Sequence, residues 1–173
     1  MTLKPQDLLV LLKMVALGRE PWSYNQLAYE LGMSASEVHA GVKRAVHVGL
    51  MQVNEGWGYP DVSALAEFLV HGLRYAFAPD RGGMVHGLPT AYSAAPLKDR
   101  VGYADDPPAV WPEEGGSVRG LGFSPLYRSV PLAARRDPAL YELLVLADAL
   151  RVPHAKRAVA VSELHKRLVP ANG

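Results

Sequence analysis

Polar and basic side chains recur at helical spacing on one short stretch of the chain, residues 36–47. At about 3.6 residues per turn, one side of a helix over this stretch would carry these residues: Ser36, His39, Ala40, Lys43, Arg44 and His47. The opposite side is apolar and carries Val38, Val42, Ala45 and Val46. Hydroxyl, imidazole, ammonium and guanidinium groups are the groups that proteins present to base edges and phosphate oxygens. The stretch therefore predicts a helix whose outer side could contact nucleic acid.

Two capping patterns and a glycine define this helix and the one before it. Ser23 stands three residues before Gln26, and Ser34 stands three residues before Glu37. This is the spacing of a capping box, in which a hydroxyl and a Gln or Glu satisfy backbone N–H groups at a helix start. Gly32 lies between the two helices, where a left-handed backbone costs glycine little. The pattern predicts a helix-turn-helix.

The segment resembles the winged helix-turn-helix regulators, a superfamily that includes the MarR-like and ArsR-like repressors. The resemblance is carried by Ala28, Gly32, Val38 and the exit 48–50, and it covers the first third of the chain. It implies a transcriptional regulator that acts as a homodimer and reads the major groove of double-stranded DNA with helix 36–47. The alternative is a helical hairpin that is packed only for its own stability.

Roles for individual residues follow from this resemblance. Ser36, His39, Lys43 and His47 would face bases or the adjacent backbone, while Gln26, Ser34 and Arg44 would orient the fold on phosphates. A short strand at 51–53 and a turn at 54–60 would form the wing. The tip of that wing carries Glu55 where a Lys or Arg would contact phosphate, which weakens this part of the resemblance. Trp57 is expected to pack on the core.

Apolar residues at helical spacing predict four further helices: Pro5–Leu17 (with Thr2 as a possible cap), Val62–Ala76, Pro138–Leu150 and His154–Leu168. The first is apolar on more than one side, which fits either a central core helix or a second surface for a later segment or another subunit. The apolar stripe of the second fits either a dimer interface or burial within one chain. The basic side of the last fits either phosphate contact or a solvated face.

Residues 78–134 are rich in proline and glycine and show no long helical period. We expect an irregular, partly extended layer against the helices, with extended pieces near 84–86, 90–93 and 117–123. Its aromatic residues are expected to anchor that layer, or alternatively to line a groove for a ligand or a partner protein: Tyr92, Tyr103, Trp111, Phe123 and Tyr127. Its acidic residues fit a solvated loop, or alternatively a cation site or a mimic of nucleic-acid charge: Asp99, Asp105, Asp106, Glu113 and Glu114.

Composition sets the outer limits. The chain has 173 residues, no cysteine and a net charge of +1, so disulfides and indiscriminate coating of nucleic acid are both excluded. We expect no signal peptide and no membrane span, and a cytoplasmic location. The predicted fold is mainly α, with a winged helix-turn-helix domain at 1–60 and a helical dimerisation or partner-binding region at 61–173.

The sequence lacks the common motifs for catalysis and for cofactor binding. The glycine-rich stretch 115–122 lacks the lysine of a phosphate-binding loop, and no Gly-x-Ser-x-Gly sequence occurs. The six histidines include no His-Glu-x-x-His pair, and His39 and His47 are two helical turns apart. His86 between glycines could lie in a small pocket, and an enzyme that uses His86, Arg119 and the acidic residues of this layer is a third hypothesis, although nothing there resembles a known family. We therefore expect no enzyme activity, no cofactor and no metal.

A second functional hypothesis keeps the helix-turn-helix shape and changes its use. In an antitoxin-like protein, the C-terminal region would bind a partner protein through residues 78–134, while the N-terminal domain represses its own operon. Co-purification with a neighbouring gene product would favour this hypothesis, whereas a ligand-responsive homodimer would favour the first.

Overall fold

Helices carry most of the regular structure in the computed structural model, which describes residues 1–101 and 106–169. In those ranges the α-helices are α1 (Pro5–Leu17), α2 (Tyr24–Leu31), α3 (Ala35–His47), α4 (Val62–His71), α5 (Leu73–Ala76), α6 (Val130–Arg136), α7 (Pro138–Leu150) and α8 (Arg157–Leu168). The strands are β1 (Met51–Asn54), β2 (Trp57–Pro60), β3 (Arg81–Pro89), β4 (Ala109–Pro112) and β5 (Val118–Phe123). The architecture is thus mainly α, with two small sheets.

Capping hydrogen bonds fix the starts of α2 and α3. The Ser34 hydroxyl accepts from the Glu37 N–H at 3.1 Å, and the Glu37 carboxylate accepts from the Ser34 N–H at 2.7 Å, so this capping box is complete. At Ser23 the hydroxyl half is present, since it accepts from the Gln26 N–H at 3.1 Å. Gly32 ends α2 in the left-handed conformation, with φ of 67°. The sequence located this turn correctly.

Helix α1 lies in the centre of the protein. Leu8, Leu9, Leu11 and Leu12 are fully buried, and α1 packs against α2 and α3 on one side and α7 on another. Its surplus apolar surface is therefore covered by a later segment of the same chain. The helix starts after Lys4, whose N–H donates to Asp7, so the prediction of Thr2 as its cap was wrong.

Strands β1 and β2 form an antiparallel hairpin. Its two turn residues, Glu55 and Gly56, have φ of 53° and 78°, as a two-residue turn between twisted strands requires. The Trp22 indole N–H donates to the Gly58 carbonyl at 3.1 Å and ties the hairpin to the α1–α2 loop. Trp57 lies on the hairpin with about a third of its surface exposed, so it is only partly packed.

The second sheet replaces much of the irregular layer that the sequence predicts. Strands β3, β4 and β5 close on themselves: β3 pairs antiparallel with both others, and β4 pairs parallel with β5. Glycine is required where the strands approach, because a Cβ on Gly87 would collide with the Trp111 carbonyl and a Cβ on Gly120 with the Pro108 carbonyl. Residues 90–93 were expected to be extended, but Ala91–Ser93 form a short 3₁₀ helix.

Other predicted helix bounds shift at glycine and proline. The helix expected at 62–76 is interrupted at Gly72, where α4 ends and α5 begins. The last helix starts at Arg157 and not at His154, while α7 starts after Asp137 as predicted. Helix α6 was not predicted. The apolar stripe of α4 is buried against α7 and α8 of the same chain, so it does not offer a dimer interface.

One hydrophobic core runs through the described part of the chain. It joins side chains of α1–α4 to the sheet β3–β5 and to α6–α8, across the boundary predicted at residue 60. Trp111, Tyr92 and Phe123 are among its largest buried side chains, so these aromatic residues anchor the 78–134 segment as expected. Tyr103 and Asp105 lie outside the described residues. The described part of the segment is held together by the sheet β3–β5.

Candidate nucleic-acid interface

The outer side of α3 is open to solvent in the structure. Ser36, His39, Lys43 and His47 are exposed, and Ala40 is half-buried. Gln26 and Ser34, at the start of α2 and in the turn, are exposed as well. The structure thus brings six of the seven predicted contact residues onto two adjacent helices and their turn, with their polar groups accessible.

Arg44, the seventh predicted contact residue, forms an ion pair inside the protein and does not face solvent with the other six. Its guanidinium donates two hydrogen bonds to Asp7 of α1, each at 2.8 Å, and only 14% of its side chain is exposed. The Asp7 carboxylate has no exposure at all. Gly41 gives this carboxylate room, because a Cβ there would lie 3.0 Å from Asp7 Oδ1. Arg44 therefore fastens α3 to α1, and we leave it out of the candidate interface.

Two details of α3 refine the predicted pattern. Val46 was expected to face inward, but 39% of its surface is exposed near the C-terminal end of the helix. The His39 ring packs against Tyr24, with 4.9 Å between ring centroids. This contact restricts the imidazole without covering it. The Ser36 hydroxyl lies 3.1 Å from the Ser34 hydroxyl, so the polar groups at the start of α3 are also held in place.

The segment after β5 adds two residues that the sequence did not single out for this surface. The Tyr127 hydroxyl donates to Glu37 Oε1 at 2.5 Å, and Arg128 lies 3.3 Å from the same oxygen. Because 73% of the Arg128 side chain is exposed, its charge is presented beside the start of α3. No local spacing predicts this contact, since it joins residues about ninety positions apart in the chain.

Glu37 is thereby held in its charged form. The N–H of Ser34 and the hydroxyl of Tyr127 donate to its carboxylate and lower the pKa of Glu37 to about 2. Burial, followed by the bond to Glu37, raises the pKa of Tyr127, so this hydroxyl remains a donor. The charged carboxylate of Glu37 therefore accepts hydrogen bonds from the helix cap and from the segment after β5.

The basic side of α8 has partners within the chain. Arg167 pairs with Glu142 and Glu163, Lys166 pairs with Glu163, and Arg157 donates to carbonyls of Leu150 and Val70. The hairpin β1–β2 contributes no Lys or Arg. Lys43 on the outer side of α3 and Arg128 beside its start are exposed cations at the candidate interface.

The described ranges also locate residues that were considered for catalysis or for a metal ion. They contain no group of three or more His, Asp or Glu side chains placed to bind a metal ion. His86 is exposed on β3 opposite Arg119 of β5. Glu113, one of the acidic residues considered for a cation, pairs with Arg135 at 2.7 Å. In residues 1–101 and 106–169, no helix has the length and apolarity needed to cross a bilayer.

Comparisons with known proteins do not identify a family for this chain. No protein-family model, no curated protein and no solved structure matches the chain. Its function must therefore be argued from the exposed polar side of α3 and its surroundings.

Proposed function

We propose that this protein is a sequence-specific DNA-binding regulator of transcription that places α3 in the major groove. One observation carries the proposal: the outer side of α3 bears accessible polar and basic side chains, while its inner side is fastened to α1 by the Asp7–Arg44 pair. A helix that reads DNA needs this combination, because the duplex must reach the side chains without dislodging the helix. The order of α2, turn, α3 and hairpin supports the proposal, because a winged helix-turn-helix has the same succession of elements.

Each exposed residue then takes a role set by its position. Ser36 and His39, near the start of α3, are placed to meet base edges, since the first turns of a recognition helix penetrate deepest. Lys43 follows on the same side and meets the phosphate backbone at the edge of the groove. Arg128 contacts a phosphate next to the start of α3. Ser34 and Gln26 offer neutral hydrogen bonds to the backbone.

The direct test is selection of DNA fragments by the purified full-length protein. We expect enrichment of a short common sequence, because base contacts are each worth about 1–3 kcal/mol of discrimination. The Ser36→Ala and His39→Ala variants should relax the preference at particular base positions. Recovery of random fragments, or no binding at low salt, would contradict the proposal.

Salt dependence provides the first mutational prediction. A protein that loses one phosphate contact should show a slope of log K against log salt that is smaller by about one unit. We expect Lys43→Ala to change the slope by this amount on the selected sequence. Lys98→Ala is the matched control, because Lys98 is an exposed lysine on the loop between the 3₁₀ helix and β4. Equal slopes for both variants would remove Lys43 from the interface.

A further inference from the structure

A groove of about 760 Å³ opens on a part of the protein that the proposed DNA interface does not use. Its described lining comes from α5, the 3₁₀ helix, the sheet β3–β5 and the chain after α7, and includes no residue of α2, α3 or the hairpin. Tyr75, Tyr92 and Phe123 form aromatic parts of its wall. The volume lies in the range of pockets that hold small organic molecules, about 300–1,000 Å³.

Buried polar groups make the inner wall of the groove rigid. The guanidinium of Arg151 donates to the carbonyls of Phe77 and Ser124 at 2.8 and 2.9 Å, and to the Asp148 carboxylate at 2.8 Å. Asp148 also accepts hydrogen bonds from Thr90 and Trp111, so its carboxylate has three donors. Burial raises the pKa of Asp148, and these three donors act against that rise. This network joins Thr90, which follows β3, to β4 and α7 beneath the groove, and it neutralises Arg151.

Two other arginines of the lining are differently placed. The guanidinium of Arg74 lies 4.8 Å from the centre of the Tyr75 ring, and that of Arg81 lies 5.0 Å from the centre of the Phe123 ring. Across the described part of the chain, neither has a carboxylate partner. The remaining charged groups of the lining are Asp106, which is exposed, and His154, which stacks on Tyr92 with 3.6 Å between centroids. Two guanidinium groups, neither paired with a carboxylate among the described residues, thus border the groove.

We propose that this groove binds a small organic anion with a planar apolar body and a carboxylate or phosphate group. The exposed ring of Tyr75 can stack on the planar body, and the guanidinium forks can each donate two parallel hydrogen bonds to an oxyanion. Both forks are already held over rings, so little side-chain freedom is lost when the anion binds. Binding of this anion does not depend on the proposed DNA interface.

Calorimetric titration of the full-length protein with three probes tests the proposal. Naphthoate and naphthyl phosphate combine a planar body with an anion, whereas naphthylmethanol has the body alone. We expect both anions to bind at least about tenfold more tightly than the alcohol, because charge-assisted hydrogen bonds are roughly twice as strong as neutral ones. Tighter binding of the phosphate or of the carboxylate supports the site equally and identifies which class of natural ligand it takes.

Variants locate the binding. The double variant Arg74→Ala/Arg81→Ala should weaken naphthoate binding about tenfold or more, and Arg81→Lys, which keeps the charge and loses the fork, should weaken it less. Arg119→Ala is the matched control, since Arg119 is an exposed arginine of β5 that does not line the groove. Circular dichroism and the midpoint of thermal unfolding verify that each variant is folded. Equal affinity for naphthoate and naphthylmethanol, no binding of either anion, or an unchanged affinity in the folded double variant would overturn the proposal.

Discussion

Arg44 shows how the same residue type at the same spacing can serve a different purpose. Its position on α3 fits a phosphate contact, yet its guanidinium forms an ion pair with the fully buried carboxylate of Asp7. We predict that Arg44→Ala lowers the free energy of unfolding by about 3–5 kcal/mol, because it leaves a buried charge without its partner. Urea unfolding monitored by circular dichroism measures this loss.

The neighbouring lysine is the control for this prediction. Lys43 is exposed and has no such partner in the described ranges, so Lys43→Ala should change the stability by less than about 0.5 kcal/mol. A similar small effect for Arg44→Ala would show that water reaches Asp7 in solution, and Arg44 would then be free to contact DNA.

Glu37 leads to a prediction about pH. Its folded pKa of about 2 lies below the usual 4.5, so its interactions stabilise the folded protein above pH 4.5 and are lost as the pH falls towards 2. We predict that Tyr127→Phe raises the pKa of Glu37, because it removes a hydrogen bond to the charged form. A carbon-13 NMR titration of the Glu37 carboxyl group measures the shift. Arg128→Ala should have a smaller effect, since its charge is more exposed to water. An unchanged pKa in Tyr127→Phe would mean that Tyr127 does not contact Glu37 in solution.

At the scale of elements, the turn between α2 and α3 is held from outside by α6. A Cβ on Gly32 would lie 3.1 Å from Leu132 Cδ2 and 3.2 Å from Ser129 Cβ. Next to this contact, Arg136 of α6 donates to the Tyr29 carbonyl and lies over the Tyr29 ring. Helix α6 thus covers the back of the turn without reaching the exposed side chains of α3.

This packing can be measured with a pair of glycine substitutions. Gly32 and Gly49 both have positive φ, of 67° and 86°, but nothing lies within 4 Å of a Cβ on Gly49. Both alanine variants should therefore be strained, and we predict that Gly32→Ala costs about 1 kcal/mol more than Gly49→Ala because it also crowds Leu132. The Leu132→Ala background should reduce this difference, while the contact with Ser129 Cβ at 3.2 Å remains. If the two variants are equally destabilised in the original background, α6 does not pack against the turn.

Elements with local signals were predicted well, and elements without them were not. Caps and glycines located α2, α3 and α7 to within a residue, because hydroxyl caps and left-handed glycine act over three or four positions. Strand β4 and helix α6 were missed. Both are short and depend on distant partners: β4 pairs with β3 and β5, and α6 packs on α2.

The candidate site shows the same division. Helical spacing alone identified the exposed side of α3. Two features of the site were not predicted: Arg44 pairs with Asp7 and leaves the interface, and Arg128 joins the interface beside Glu37. Both depend on tertiary contacts between distant positions in the chain. A single sequence has no local pattern that distinguishes a free arginine from a paired one.

For the whole molecule, the structure changes what is expected of its assembly. The resemblance implies a homodimer, and the apolar surfaces of α1 and α4 were its candidate interfaces. In the structure α1 packs against α7, and α4 packs against α7 and α8, of the same chain. The exposed large apolar side chains come from different elements, including Tyr29 on α2, Tyr75 on α5 and Met84 on β3. A stable dimer buries about 1,200–2,000 Å² in total, and neither the surface of α1 nor that of α4 is open to supply it.

We therefore predict that the protein is a monomer of 18.7 kDa in solution. Light scattering coupled to size-exclusion chromatography measures the mass directly, and a tenfold dilution should leave it unchanged. On DNA, one chain presents one α3, so the selected sequence should be a single short site and not two half-sites about 10 base pairs apart. A mass of two chains, or a selected sequence with paired half-sites, would contradict this prediction. It would show that a surface other than those of α1 and α4 forms a dimer. The variants Tyr29→Ser and Tyr75→Ser would then test which exposed side chain holds the dimer together.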